Sequence, residues 1–496
     1  MDKMTFRKNH KWVGLVFAFF MLMFCLSGII LNHRSWVAHV NVGRQWLPQS
    51  FRYKDLNGGL LRGTMPLKGE CFDADVLAYG NSGVWLVDDA THAFKDFNQG
   101  LPQGADFRNI KGCVQTPDQT LWALGQFGLY GWQSPQDGWR ERNLPSVPGE
   151  RFTDLTLKGD TLVVLGRSHV YVSASPYTAF ERRQLAAPEG YDGKVSLFRT
   201  VWNLHSGEMF GIVGKLLMDA VAVVLIVLCL TGVAHWLFPK YIKRRKKAGA
   251  NVALSAKAMK QNLNWHDKLG RYTFGILIFV SLTGWCLRPP VLIALVKGHV
   301  PAIPYTVMDS DNPWRDRLRM IRYDAQQEDW LLSTSEGLYT LDSLEATPVR
   351  VEKAPPISVM GLNAFQKDAD GNWLMGSFSG MFRWNRETGV ATDYFTGEVT
   401  QEVSGPPFGK FAVSGYSDDL GKPFVVEYYQ GTDALAMPQE MSHLPMSLWN
   451  LALEVHTGRI YTVLGPGTLI YIFFAGLAAL WCIYTGYRIR KPKHKK

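Results

Sequence analysis

Residues 204–215 read LHSGEMFGIVGK, and residues 455–465 read VHTGRIYTVLG. Each places a histidine, a small hydroxyl residue and a glycine at the mouth of a long apolar segment. A second pair of matches lies upstream of each. HKWVG (10–14) and HDKLG (266–270) both set a histidine four residues before a glycine, and both lead into an apolar run that ends in SG or TG. The order is therefore the same in each half: His10, a span, a long polar stretch, His205, a span, then His266, a span, a polar stretch, His456, a span. Two halves of one orientation predict a pseudo-twofold axis along a membrane normal.

Four stretches are apolar over lengths near the roughly 20 residues that a bilayer requires: 13–31, 209–237, 272–287 and 460–484. The chain has 496 residues and is 47% hydrophobic. Its mean hydropathy is near zero, so much of it lies outside any membrane. Basic clusters flank the spans: Lys3, Arg7, Lys8 and Lys11 before the first, 240–247 after the second, 488–496 after the fourth. The positive-inside rule puts all three clusters in the cytoplasm. Both termini are then expected inside, and both long loops outside, in the periplasm of a bacterial inner membrane. This topology accounts for the net charge of +10, so nucleic-acid binding is not expected. The first span follows a basic start as a signal peptide would. It exceeds the usual apolar core of one and lacks a small-residue cleavage site, so it is expected to remain as an anchor. Cys71 and Cys113 fall in the first outer loop, where they could form a disulfide or remain as thiols.

The outer stretches repeat on a finer scale. Short aromatic and β-branched runs recur at 83–89, 120–132, 161–172, 329–341, 372–384 and 423–431, punctuated by Gly, Asp, Pro and Asn. Pairs such as WLLSTSEGLYTL read as strand, turn, strand. A spacing of roughly 40 residues suits propeller blades, and propellers commonly have about 4–8 of them. The expected fold is a membrane α-helical bundle of four transmembrane helices in duplicated two-span halves, plus an all-β extracytoplasmic domain, a six-bladed β-propeller built from both outer loops. Two separate small β domains are the alternative. The expected boundaries are 1–34 (first helix), 35–201 (first half of the propeller), 202–247 (second helix and basic end), 248–297 (cytoplasmic loop and third helix), 298–448 (second half) and 449–496 (fourth helix and basic tail).

A lone histidine at a span end ordinarily hydrogen-bonds water or headgroups. Four at matched repeat positions argue for a shared task, since ligating residues at membrane depth are functional by default. Under the twofold axis His205 faces His456, and His10 faces His266. Each pair could give axial imidazoles to one iron, as bundle-core cofactor sites take side chains from facing helices. Haem accepts such ligands, which predicts two haems b, one near each face. Gly14, Gly270, Gly207 and Gly458 would let a flat macrocycle approach the backbone. His33 and His235 lack a repeat partner and are second-rank candidates, for which the interfacial reading comes first. Asp219, within the second span, could relay protons or satisfy a neighbouring helix. Lys215, one turn earlier, is a possible partner.

This series, HxxxG then SG, LHSG then LTG, HxxxG then LTG, and finally VHTG, resembles the PepSY-associated transmembrane proteins, which include inner-membrane ferrisiderophore reductases. The resemblance covers the spans and their flanks, about a third of the chain. It implies haem ligation by His10, His205, His266 and His456. It also implies electron flow from the cytoplasmic side to an external ferric siderophore or other ferric chelate. No PepSY module is recognisable in the outer stretches, where the propeller-like runs stand instead. The inner segment between Phe238 and Asn264 is too short for a flavin or nicotinamide domain, so quinol or a separate cytoplasmic reductase would supply electrons. The rival reading is a membrane-anchored propeller that binds a ligand or senses it, without redox activity. A transporter accessory subunit is a third, disfavoured by the expected lack of broken helices.

Overall fold

The computed structural model describes residues 3–69, 74–400 and 409–489. The chain divides into two compact units. One comprises Met1–Val37, Gly193–Asp309 and Leu448–Lys496, and the other Ala38–Asp192 and Ser310–Ser447.

The first unit is helical. Its long elements are α1 (Lys3–Asn32), α2 (Leu197–Ser206), α3 (Gly211–Lys247), α4 (Ala253–Tyr272), α5 (Phe274–Cys286), α6 (Leu448–His456) and α7 (Gly467–Arg488). α1, α7 and the helical stretch containing α3 are each long and apolar enough to cross a membrane. α4 and α5 together meet the same test but bend by 68° at their junction, Thr273. The third predicted span thus holds a helix of only 13 residues, entered at a sharp bend, rather than one unbroken membrane-long helix. The predicted cytoplasmic loop is also mostly helix, because α3 runs to Lys247 and α4 begins at Ala253. α1 packs on α3 and α7, α3 on α4, and α5 on α7. Small residues face the contacts; Ala18, Ala475 and Ala479 are buried. Large apolar residues such as Phe19, Leu217 and Leu469 point outward, a distribution suited to lipid rather than water.

The second unit is all β. Among the described residues five four-stranded antiparallel sheets and one two-stranded sheet follow in sequence, each made of consecutive strands, and a further two-stranded sheet pairs Asn41–Val42 with Met446–Ser447. Their first strands are Gly63–Pro66, Ile110–Gln115, Phe152–Lys158, Leu318–Asp324, Leu362–Lys367 and Val413–Ser417. Each of the six runs noted in the sequence falls in a different sheet. Five of the six first strands carry a register irregularity near their start, at Ile110/Gly112, Phe152/Asp154, Leu318/Met320, Leu362/Ala364 and Val413/Gly415. A bulge re-aims the chain at the same point of each repeat. Consecutive sheets neighbour through their first strands or the strand beside them, and the sixth also neighbours the first.

Apolar cores fill the spaces between neighbouring sheets. One joins Val163 and Val170 to Ile321 and Trp330; another joins Val76 and Trp85 of the first sheet to Val426 of the sixth. Where the sixth sheet meets the first, Tyr416 donates its backbone N–H to the Arg62 carbonyl at 3.2 Å. A Cβ on Gly415 would lie 2.5 Å from the Leu61 carbonyl oxygen, so this approach requires glycine. Cys113 is buried. Cys71 lies outside the described residues, and so does any bond between the two.

Candidate functional site: two histidine pairs in the helical unit

α2 and α6 are short helices that each carry a histidine in their last turn, His205 and His456. Gly207 (φ 78°) and Gly458 (φ 75°) follow in the left-handed conformation, the usual glycine stop of a helix. A Cβ on Gly207 would come 2.1 Å from the Gly214 carbonyl oxygen, and one on Gly458 2.3 Å from Ile472 Cδ1. The HSG and HTG motifs are therefore helix ends that turn the chain into α3 and α7. The task of these glycines is termination, and a Cβ on Gly14 would lie 3.4 Å from the Cys482 thiol.

The glycines that meet the imidazoles are four others. A Cβ on Gly28 would lie 3.3 Å from Cε1 of His456; on Gly284, 2.7 Å from Cε1 of His205; on Gly232, 3.4 Å from Cε1 of His266; on Gly486, 2.9 Å from Cε1 of His10. Each follows a hydroxyl residue: Ser27, Thr283, Thr231 and Thr485. The SG and TG dipeptides that close the apolar runs are the beds on which the histidines rest. The bed always belongs to the opposite half: His10 of α1 sits on α7, His266 of α4 on α3, His205 of α2 on α5, and His456 of α6 on α1.

Hydrogen bonding sets the tautomer. The four hydroxyls reach back to carbonyls one turn earlier, Ser27 to Met23 at 2.6 Å, Thr231 to Val227 at 2.6 Å, Thr283 to Phe279 at 2.9 Å and Thr485 to Trp481 at 2.8 Å. Their protons are thereby engaged. Nδ1 of His456 lies 3.0 Å from the Phe24 carbonyl and 3.0 Å from Ser27 Oγ. Nδ1 of His205 lies 3.1 Å from the Val280 carbonyl, and that of His10 2.9 Å from the Cys482 carbonyl. Nδ1 of His266 lies 2.9 Å from Thr231 Oγ1. A carbonyl only accepts, so Nδ1 must donate. In a neutral ring the lone pair is then on Nε2, the arrangement that second-sphere partners impose on a metal-binding histidine.

The rings meet in two pairs. His10 and His266 have centroids 6.1 Å apart, with planes at 65°. His205 and His456 also have centroids 6.1 Å apart, with planes at 49°. A metal–imidazole bond is roughly 2 Å long, and the ring centre lies about 1 Å behind the nitrogen, so two rings on opposite sides of one metal stand about 6 Å apart. Among the described residues no group of three or more His, Cys, Asp or Glu is placed to hold a metal ion. Each pair thus offers two nitrogens, which suits a metal that brings its remaining ligands with it. Along α1, His10 and Gly28 are separated by 18 residues, or about 27 Å of helix.

His33 joins neither pair. Its Nε2 lies 2.6 Å from Asp219 Oδ2, Asn32 donates to Asp219 Oδ1 at 3.1 Å, and the imidazole stacks on Trp36 at 4.3 Å. Lys215 turns instead to Glu208, at 3.7 Å. Asp219 therefore satisfies a neighbouring helix, and its partner is His33 rather than Lys215. His235 is exposed. Two features were not read from the sequence. The SG and TG beds were visible as a fourfold dipeptide, but nothing local tied them to histidines on other helices. Arg288, within electrostatic reach of both His205 and His456, has no repeat signal.

The sequence profile of the PepSY-associated TM region matches residues 7–490. No curated protein matches the sequence. Two solved extracellular domains from B. thetaiotaomicron are similar in structure. That of the one component system BT4673 is 9% identical, with a TM-score of 0.34, over 74% of this chain and 40% of the other. That of the hybrid two component system BT3049 is 10% identical, with a TM-score of 0.32, over 76% and 38%. The chain spans less than half the length of either.

Proposed function

Because the chain belongs to the family of the PepSY-associated TM region, we propose that it is a transmembrane electron-transfer protein carrying two haems b. His10 and His266 would hold one, and His205 and His456 the other. The observation that carries this reading is the pair of 6.1 Å imidazole separations, each joining the two halves. The haem would supply one-electron chemistry at a potential set by axial ligands, burial and hydrogen bonding. The chain's own part is to fix each imidazole. Its Nδ1–H is held by a backbone carbonyl or threonine hydroxyl, its face lies on a glycine, and its Nε2 is kept unprotonated.

The electrons would pass from quinol or a separate cytoplasmic reductase to a ferric siderophore or other ferric chelate outside. The basic clusters support an inner-membrane location with both termini cytoplasmic. The bent α4–α5 pair would be the third of four spans, since its apolar part packs beside α7. The β unit would be a six-bladed propeller, supported by six sequential sheets and by the core that unites the sixth with the first.

The test is an absorption spectrum of the purified protein before and after dithionite. Two six-coordinate haem components are expected, with His205→Ala plus His456→Ala removing one and His10→Ala plus His266→Ala the other. A protein purified from haem-replete cells without a Soret band would overturn the proposal and leave the anchored binding protein as the better reading.

A further inference from the structure

The β unit contains a group of charges that its own packing leaves incomplete. Asp154, on the first strand of the third sheet, is fully buried. Its Oδ2 accepts from the Ile321 N–H at 2.8 Å and from Arg322 Nη1 at 2.5 Å. Its Oδ1 has no partner among the described residues. Arg62, entering the first sheet, donates through Nη1 to Asn363 Oδ1 of the fifth sheet at 2.8 Å. Its Nε is buried and unpartnered among the described residues, and Nη2 makes no hydrogen bond there. The Tyr79 hydroxyl, against Gly63, likewise has no described partner.

Arg322 Nε donates to the Phe365 carbonyl at 3.0 Å, on the same strand as Asn363, so the first, third, fourth and fifth sheets send polar groups to one place. Burial pushes the Tyr79 phenol up and the Arg62 guanidinium down. Arg62 and Tyr79 nevertheless keep partial solvent contact, as does Arg322, whose side chain is 23% exposed. They therefore border a place that solvent reaches.

An unmatched buried donor or acceptor is costly, and a charged one more so. The two guanidinium groups exceed the one carboxylate by a single positive charge. With Nη1 engaged by Asn363, the remaining edge of Arg62 is Nε–H and Nη2–H, two parallel donors matched to the two oxygens of a carboxylate. The buried acceptor at Asp154 calls for a donor on the same ligand. We propose that this space binds a small hydroxycarboxylate anion, its carboxylate on Nε and Nη2 of Arg62, its hydroxyl donating to Asp154 Oδ1, and Tyr79 donating to the carboxylate. The inference rests on the β unit alone and is independent of the histidine reading.

The experiment is calorimetric titration of the full-length protein in detergent with lactate and with acetate. Lactate is expected to bind and acetate at least tenfold more weakly. Arg62→Met should abolish lactate binding while Arg140→Met, at an exposed arginine, leaves it unchanged; a thermal melt checks that each variant is folded. Should Arg62→Met not fold, Tyr79→Phe keeps the guanidinium and is expected to weaken lactate several-fold. Equal binding of the two acids would overturn the role of Asp154. Wild-type protein that binds neither acid, or Arg62→Met or Tyr79→Phe protein that binds lactate as wild type does, would overturn the site.

Discussion

Cε1 of His205 stands against Gly284 so closely that a methyl group there would lie 2.7 Å from it. The corresponding distance from Gly28 to His456 is 3.3 Å. The two members of one pair thus have different tolerances, although the repeat makes them equivalent. Gly284→Ala is expected to displace His205 and to lower the Soret absorbance per protein strongly. Gly28→Ala, which needs a shift of only a few tenths of an ångström, should leave most of it. Equal effects from the two substitutions would contradict the bed described for His205.

Ser27→Ala isolates the hydroxyl from the carbonyl. It removes one contact to His456 Nδ1 and leaves the Phe24 carbonyl, which alone keeps the proton on Nδ1. The loss of one hydrogen bond corresponds to about 0.5–1.5 kcal/mol. A small decrease in thermal stability is expected, with the spectrum retained. Loss of the spectrum would mean that the hydroxyl, and not the carbonyl, sets the tautomer.

The His33–Asp219 pair is a structural prediction of a different kind. Both side chains are largely buried, at 10% and 15% exposure. Removing one partner of such a pair costs about 3–5 kcal/mol, whereas replacing both by apolar groups is often near neutral. Asp219→Ala should therefore lower the melting temperature markedly. His33→Phe combined with Asp219→Leu should recover most of the loss. A double variant as unstable as the single one would point to a role for the hydrogen-bonded pair beyond packing.

The contact of the last sheet with residues 55–62 can be probed at Gly431. It has φ 82°, and a Cβ there would lie 1.7 Å from the Asp55 carbonyl oxygen, beside the bond from the Thr432 N–H to that same carbonyl. Gly431→Ala is expected to loosen the last sheet from residues 55–62. Limited proteolysis should then cut within 409–447 faster than in the wild type. Unchanged cleavage would show that this contact does not hold the ends together.

Acid should weaken the fourth and fifth sheets. Burial alone would raise the Asp324 carboxyl, but hydrogen bonds from Lys367 and Arg386 outweigh it and bring its pKa from 3.8 down to about 2. A depressed folded-state pKa gives stability that is full above the unfolded value and is lost as pH falls through the folded one. Asp324→Asn should therefore destabilise the protein at neutral pH and make its stability less sensitive to acid between pH 3.8 and about 2. Parallel acid-denaturation curves for the two proteins would remove Asp324 from the acid response.

Much of this was written locally. The HSG and HTG motifs end helices because glycine alone adopts the conformation required, so their place at span mouths was readable. The short aromatic and β-branched runs showed the strands for the same reason, since strand-favouring composition bounded by turn residues is a property of neighbours in sequence. The break at Thr273 was not readable. TFGILIF is uniformly apolar, and apolarity constrains environment rather than direction. Nor was the partner of Asp219, because helical spacing suggested Lys215 while the packing of α1 on α3 brought His33 nearer.

The sequence by itself determined a duplicated chain with four matched histidines and six strand-rich repeats. Each of those facts depends on residues close together along the chain or on comparison of its two halves. Only the tertiary structure decided which helix receives each imidazole. The receiving serine or threonine lies 35 to 475 residues away, and no local propensity couples residues at that distance. Packing does, because a ring without a side chain beneath it and a carbonyl beside it has only one place in the bundle to go.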